Sequence, residues 1–356
     1  MEKRRIDVVI PVFNEIEIIE LLHQRVDAAC QSTGQSYRII YVDDGSRDGT
    51  ADWIAKHAID ANRSQADQSQ NAGLESKGAV RLLSLSRNFG QPAAITAGLH
   101  ASDADCVVLM DGDLQDPPEL IPELLQKFES GAGVVIAQRS SRKETFVRGL
   151  CFAAFHRLFQ ILSESNVPKN TGTFCLMNRQ AVDAICRLDE SHRFFPALRS
   201  WVGFNVEIVR FERQERAGGE PKQTFTRLLR YALDAIFGNS LKPLRLLTAS
   251  GVTLCALSIA AAAWFVGKRL IGFETAELGF TTILCSILGL GGFQLIATGV
   301  LGEYIGRIYE ECRKRPPYLL ASDLSSDSAA GTMIHPIQQS PSEHSTATDY
   351  SRRLSA

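Results

Sequence analysis

The eight cysteines of this 356-residue chain include no C-x-x-C pair. Scattered singly, with Cys255 and Cys285 inside apolar runs, they exclude a zinc module and a disulfide framework and read as reduced, packed thiols. Charge of neither sign is in excess. The 38 Lys and Arg stand against 40 Asp and Glu, a net −2, so there is no global positive field of the kind a nucleic-acid partner needs. No secretory signal is expected, because Met1 to Arg5 leads straight into a strand-like run. No internal repeat is found. The chain does contain four short apolar runs, each ending in polar residues, and two long apolar runs further on.

The first short run, Ile6 to Ile10, stops at Pro11 and gives way to Phe13-Asn14-Glu15, after which Ile16, Ile19, Leu22, Val26 and Ala29 recur at helical spacing. Arg38 to Val42 is a second strand ending in Asp43-Asp44-Gly45-Ser46, followed by a helix with Trp53 and Ile54. Val80 to Leu85 is a third, ending in Ser86-Arg87-Asn88-Phe89-Gly90. Cys106 to Met110 is a fourth, ending in Asp111-Gly112-Asp113-Leu114-Gln115-Asp116-Pro117-Pro118. Strands alternating with helices predict an α/β fold with a parallel, doubly wound sheet. The four polar loops then line one crevice at the carboxyl ends of the strands, where open sheets of this kind bind ligands. Taken alone, each loop is equally a strand-to-helix turn with an Asp cap. That explains Asp48 but not four such loops along one edge.

Side chains at i and i+2 of an extended segment point the same way, so Asp111 and Asp113 are expected to converge on one point at the carboxyl end of the fourth strand. Two carboxylates beside a glycine, with the amide of Gln115 following, suit a hard divalent cation, Mg2+ or Mn2+. Such an ion needs only one or two protein carboxylates when phosphates complete its shell.

Leu246 to Gly267 and Leu278 to Leu301 carry no charge. At 1.5 Å per residue each is long enough for a hydrocarbon core of ~30 Å, which predicts a two-helix transmembrane hairpin closed by Lys268 to Glu277. Lys242, Arg245, Arg307, Arg313, Lys314 and Arg315 flank its outer ends. The positive-inside rule then predicts a multi-pass protein of the inner (cytoplasmic) membrane with its α/β domain in the cytoplasm. Thr224 to Phe237 repeats apolar residues at helical spacing around Arg227 and Arg230, as an amphipathic helix at a bilayer surface does. Asn62 to Lys77 reads as a flexible insertion, and residues after about Ser322 as a disordered tail. The expected layout is an α/β domain over 1–222, an interfacial segment over 223–245, the hairpin over 246–301, a juxtamembrane helix over 302–321 and the tail over 322–356.

Pro11-Val12-Phe13-Asn14-Glu15, Asp43-Asp44-Gly45-Ser46, Asn88-Phe89-Gly90-Gln91 and the Asp111 to Pro118 segment together resemble the inverting nucleotide-sugar glycosyltransferases. More narrowly they resemble the polyprenyl-phosphate glycosyltransferases, which include dolichol-phosphate mannose synthases and bacterial undecaprenyl-phosphate sugar transferases. The likeness runs from about residue 6 to residue 320 and takes in Ser200 to Phe204 and Gly302 to Tyr309. It implies a nucleotide-sugar glycosyltransferase fold with a mixed sheet, moving one sugar from a nucleotide-diphosphate sugar to undecaprenyl phosphate with inversion. The implied partners are a UDP-sugar, the polyprenyl phosphate lipid and the membrane, with no nucleic acid, and a homo-oligomer is expected. In this likeness Pro11, Phe13, Glu15, Asp43 and Asp44 frame the nucleoside. Asp111 lies by the ribose and phosphates, and Asp113 and Gln115, with Asp111, hold the metal. Arg139, Arg148, Arg216 and Lys222 match the basic set for the acceptor phosphate, and Asp113, Asn170 and Arg139 fall at the reacting centre.

The chain departs from this pattern at Asn170-Thr171-Gly172-Thr173-Phe174-Cys175, where relatives show Asp-Thr-Gly, an acidic or small residue, Phe and Arg. Asn170 stands for the proposed base and Cys175 for the arginine. An acceptor loop usually written Gly-x-Ser-Lys-Tyr appears as Gly219-Glu220-Pro221-Lys222-Gln223. Loss of a base is tolerable when the acceptor is a phosphate, already mostly dianionic near pH 7 with a second pKa of ~6. The alternative reading is a protein that binds nucleotide sugar or lipid phosphate with weak turnover or none. A membrane scaffold leaves the acidic crevice unexplained.

Overall fold

The computed structural model describes residues 4–59, 78–140, 171–190, 193–211, 242–271 and 279–326. Its centre is an eight-stranded mixed sheet in the order β7-β5-β6-β4-β1-β2-β3-β8. The expected strands are all present: β1 (Arg5–Val12), β2 (Ser36–Asp43), β3 (Gly78–Leu85) and β4 (Cys106–Leu109). β1 pairs in parallel with β2 and β4, and β2 with β3. Beyond them, β6 (Thr171–Asn178) runs antiparallel to both β4 and β5 (Val134–Arg139), and β7 (Val206–Phe211) is parallel to β5. The doubly wound reading therefore holds for the first four strands, and the sheet as a whole is mixed.

The central strands read as nearly unbroken apolar runs because both of their faces are covered. On one face Ile6, Val8, Ile10, Tyr41 and Val108 pack with Leu22 and Val26 of α1 (Ile19–Ser32). On the other, Val9, Ile40, Val42 and Leu109 pack with helical residues Ala94, Ala97 and Val182. A short helix, α2 (Thr50–Trp53), follows the β2 loop and continues into a wider turn over Ile54–Ile59. Ala94 and Ala97 lie on α3 (Gln91–Ala101), which follows the β3 loop. α3 approaches so closely that a Cβ on Gly98 would sit 2.3 Å from Val9 Cγ1, so only glycine fits. α4 (Ile121–Glu129), α5 (Arg179–Cys186) and α6 (Phe195–Trp201) complete the layers. The one polar group at the centre of β1, Asp7, is buried and fully engaged: Arg38 grips it through Nε and Nη2 at 3.1 and 2.6 Å, and Ser102 Oγ donates at 2.6 Å.

The two long apolar runs do form helices, α7 (Lys242–Leu270) of 29 residues and α8 (Gly279–Cys312) of 34. Yet among the described residues no helix is long and apolar enough to cross a membrane. This overturns the expected transmembrane hairpin and, with it, the multi-pass inner-membrane location. The hydroxyls of Thr248, Ser250 and Thr253 in α7, and of Thr298 in α8, turn back to carbonyls of their own helix.

The far end of the chain also differs from expectation. The tail was expected to begin at residue 322, but Leu320–Ser325 forms β8, antiparallel to β3 at the sheet edge. Arg81 clasps Asp323 there through Nε and Nη2 at 2.9 and 2.6 Å. The expected insertion over 62–77, the amphipathic segment over 224–237, the remainder of the tail from 327 onward, and the positions Arg148, Asn170, Arg216 and Lys222 lie outside the described residues.

Candidate active site

The loops after β1, β2, β3 and β4 meet at the carboxyl edge of the parallel strands, and hydrogen bonds knit them together. Asn14, with φ of 54°, takes the Ser46 hydroxyl oxygen as partner for its N–H at 2.9 Å, and its own Oδ1 accepts from Arg47 N at 2.9 Å. Glu15 N donates to Thr50 Oγ1 at 3.0 Å, and Ile16 N to Asp48 Oδ2 at 3.0 Å. Burial opposes the charge on Asp48, but the bonds from Thr50 and Ile16 outweigh it and hold the carboxyl below its ordinary value. Pro11 is buried and pairs with Val42, beyond the last β4 partner at Val9, whereas Phe13 stands 43 % exposed just past the strand end.

Asp43 and Asp44 behave differently from one another. Asp43 is buried and accepts from Ser46 N at 3.2 Å; burial raises its pKa and the Ser46 bonds partly offset this. Asp44 turns away from that loop. Its Oδ1 accepts from Phe89 N at 2.7 Å and its Oδ2 from Gly90 N at 2.8 Å. Both oxygens thus fasten the β3 loop. Between the two loops lies Gly45, at φ +73°, where a Cβ would meet the Arg87 carbonyl carbon at 2.7 Å.

Asp111 sits at the centre. β4 ends at Leu109 and a turn begins at Gly112, so Asp111 and Asp113 do not share one face of an extended strand as the spacing predicted. Asp111 Oδ1 instead takes two donors, Gln91 Nε2 and Thr173 Oγ1, each at 2.7 Å. Asp113 Oδ1 accepts from Gln115 N at 3.1 Å, and the Gln115 side chain is buried. Leu114, between them, is held at φ 58° and buried. Asp116 is buried; Oδ1 pairs with Arg139 Nη2 at 3.0 Å, and the Asp111 backbone also bears on this carboxyl. Arg139 is therefore engaged with Asp116 and not standing alone as a cation.

Burial, then the neighbouring Asp116 and Asp113, push the Asp111 carboxyl up to about 6, against the pull of the Thr173 bond and Arg139. Burial likewise raises Asp116, with Arg139 opposing. Asp111 and Asp116, both raised by burial, and the adjacent Asp113 present hard carboxylate oxygens, a donor type that fits Mg2+ or Mn2+. Among the described residues no group of three or more His, Cys, Asp or Glu converges as a complete metal cluster. Asp111 and Asp113 would therefore supply part of the shell and phosphates the rest.

Four contributors escaped the sequence reading. Gln91 closes one of the motifs, and Thr173 stands in the divergent segment, yet neither announces itself as a donor to Asp111. Asp116 is the third acid of the fourth loop. Arg199, on α6, is buried beneath the start of β6, and its Nη1 donates to Gly172 O at 3.2 Å. Nothing in its local sequence marks it.

The family model described as glycosyl transferase family 2 matches residues 7–186. An uncharacterized glycosyltransferase of Synechocystis sp. is 39% identical over 321 residues, 90% of this chain and 95% of that one. The bactoprenol glucosyl transferase of Shigella phage SfX is 37% identical over 319 residues, 89% of this chain and 99% of that one. A prophage bactoprenol glucosyl transferase homolog of Escherichia coli K12 is 36% identical over 317 residues, 89% and 98% respectively. Among solved structures, a mannosyltransferase from Pyrobaculum calidifontis in complex with GDP-Man and Mn2+ aligns over 88% of each chain, with 13% identity and a TM-score of 0.38.

Proposed function

The chain belongs to glycosyl transferase family 2, and from that premise we propose that it moves one sugar from a nucleotide-diphosphate sugar, a UDP-sugar, to polyprenyl phosphate with inversion. The observation that carries the reading is Asp111, held by Gln91 and Thr173 through one oxygen at the junction of the four loops, with Asp113 and Asp116 beside it. The bactoprenol glucosyl transferases, matched over nearly their whole length, support the lipid phosphate as acceptor.

In this reading an oxygen of the acceptor phosphate attacks the anomeric carbon from the side opposite the leaving nucleotide. The carbon–oxygen bond to the diphosphate breaks as the new one forms, its electron pair leaves on the diphosphate, and the anomeric centre inverts. Asp111, Asp113 and Gln115 would hold the divalent cation, which when bound offsets the charge developing on the diphosphate. Phe13, exposed past β1, and buried Asp43 frame the nucleoside with Glu15. Asp44 acts on the site through the Phe89–Gly90 backbone that it fixes. Arg139, Arg148, Arg216 and Lys222 supply the cations for the acceptor phosphate, Arg139 exchanging or sharing Asp116. A dianionic acceptor needs no proton removed, which makes an amide at position 170 compatible with turnover. The catalytic unit occupies roughly residues 1–222.

The test is direct. The purified chain is incubated with radiolabelled UDP-glucose or other nucleotide sugars, undecaprenyl phosphate in detergent, and Mn2+ or Mg2+. Label appearing in the organic phase only when both the lipid and the cation are present supports the reading. Label that stays with the nucleotide under every combination overturns it.

A further inference from the structure

Elsewhere in this chain one edge of the arginine guanidinium, formed by Nε and Nη2, grips two oxygens of a single anion. Arg25 holds Glu119 this way at 2.7 and 2.7 Å, Arg38 holds Asp7 at 3.1 and 2.6 Å, and Arg81 holds Asp323 at 2.9 and 2.6 Å. In Arg199 the same edge grips no anion among the described residues. Nε and Nη2 are buried and have no oxygen partner there, while Nη1 is fixed on Gly172 O at 3.2 Å. The guanidinium lies 5.8 Å from the centre of the Phe195 ring one helical turn away, and the residue is only 1 % exposed.

An empty fork in the interior is expensive. Each buried donor left unmade costs about 1–3 kcal/mol, and an unpaired buried cation costs more than an apolar side chain of similar length. Arg199 also sits where it matters. Gly172, which anchors it, precedes Thr173, the donor to Asp111. The Cys175 thiol, raised by burial, is drawn down by the Arg199 charge and by a hydrogen bond with the Arg199 side chain, and raised by Asp116; it is a weak sulfur partner and not an anion. Arg199 therefore lies against the start of the strand that carries Thr173 to Asp111, the same strand whose Cys175 replaces the arginine expected there from resemblance.

The geometry points to Arg199 as a further phosphate-binding residue of this site, its Nε–Nη2 edge taking two oxygens of one phosphate. This rests on the transferase reading above, which brings two phosphate sources to the site: the donor diphosphate and the lipid phosphate. The planar fork matches two oxygens of a tetrahedral phosphate as well as it matches a carboxylate. With the fork closed to bulk water, seating the phosphate requires a local shift of the β6 start or of α6, the two elements that carry its contacts.

The full chain with Arg199→Lys, which keeps the charge and loses the fork, is compared with Arg199→Met, which loses both. Binding of UDP with Mn2+ and of uridine is measured by calorimetry, and KM for undecaprenyl phosphate by turnover. Both variants are expected to weaken one phosphate ligand by about tenfold or more, the loss of one charge-assisted bidentate contact, with uridine binding unchanged. A loss confined to UDP assigns the fork to the donor; a loss confined to KM for the lipid assigns it to the acceptor. Both variants matching the native protein in UDP affinity and lipid KM would overturn the proposal. Where neither variant folds, the slowly exchanging arginine Nε–H signals of the 15N-labelled native chain decide. A shift of a buried signal on adding UDP or undecaprenyl phosphate supports the fork, and unmoved signals sink it. If the native chain turns over no nucleotide sugar, the transferase reading fails by itself, and inorganic pyrophosphate on the same resonances still judges the fork.

Discussion

Thr173 donates its hydroxyl to Asp111 Oδ1 at 2.7 Å, so a strand antiparallel to β4 holds the carboxylate that β4 delivers. The bond favours the ionised form of Asp111, which burial and then Asp116 and Asp113 push up to about 6. Since the folded protein binds this proton more tightly than the unfolded chain does, the group's contribution to stability falls as pH rises between about 4 and 6. Thr173→Val removes a bond to the ionised form and is expected to move the titration further up. The Asp111 carboxyl carbon resonance, followed through pH in metal-free protein, checks this; a midpoint near 4 in either protein contradicts it.

Asp44→Asn leaves one acceptor oxygen for the two N–H groups of Phe89 and Gly90. Hydrogen bonds to charged groups contribute ~1.5–3 kcal/mol. Burial already raises the Asp44 pKa, so relief of that cost brings the expected loss toward the lower end. Denaturant midpoints measure the loss, and faster amide exchange at Phe89 and Gly90 localises it. Unaltered exchange there would refute the latch.

Asp113→Ala is expected to abolish transfer, because charge developing on the diphosphate then lacks its counterion. Excess chelator should do the same to the native protein, with recovery on adding Mn2+. Full activity in chelator would remove the metal from the mechanism.

The acceptor phosphate, as its own nucleophile, predicts a rate that rises through its second pKa of ~6 and then levels off. Asn170→Asp should then change the rate by less than the ~10²-fold that a required base contributes. A native protein that is silent, and an Asn170→Asp variant that is active, would mean that a base is needed after all.

The first four strands were legible because burial on both faces writes an apolar run that no neighbour can disguise, as in Val107 to Leu109. The acidic junction was legible as composition: Asp111, Asp113 and Asp116 stand within six positions. Its geometry was not. The spacing of Asp111 and Asp113 assumed extended backbone, whereas the chain turns after Leu109 and Leu114 adopts positive φ. The partners of Asp44 and Asp111 are backbone amides and donors up to 62 residues away, for which no periodic signal exists. Arg199 is a lone arginine in a short helix, a pattern that fits a surface charge equally well. Helices over the late apolar runs were also legible, but uncharged length alone did not make them spans.

β8 has a consequence for the order of synthesis. Arg81 and Asp323 lie 242 positions apart. Emerging amino end first, β3 waits with one edge unpaired until its partner strand has been made, roughly 10–50 s at ~5–20 residues per second. A strand edge left open is a template for other chains. A chain cut before residue 320, though it keeps every site residue described above, should self-associate where the whole chain does so far less, a difference light scattering would detect. The first strands of the sheet thus depend on a strand made more than 230 residues later to close their edge.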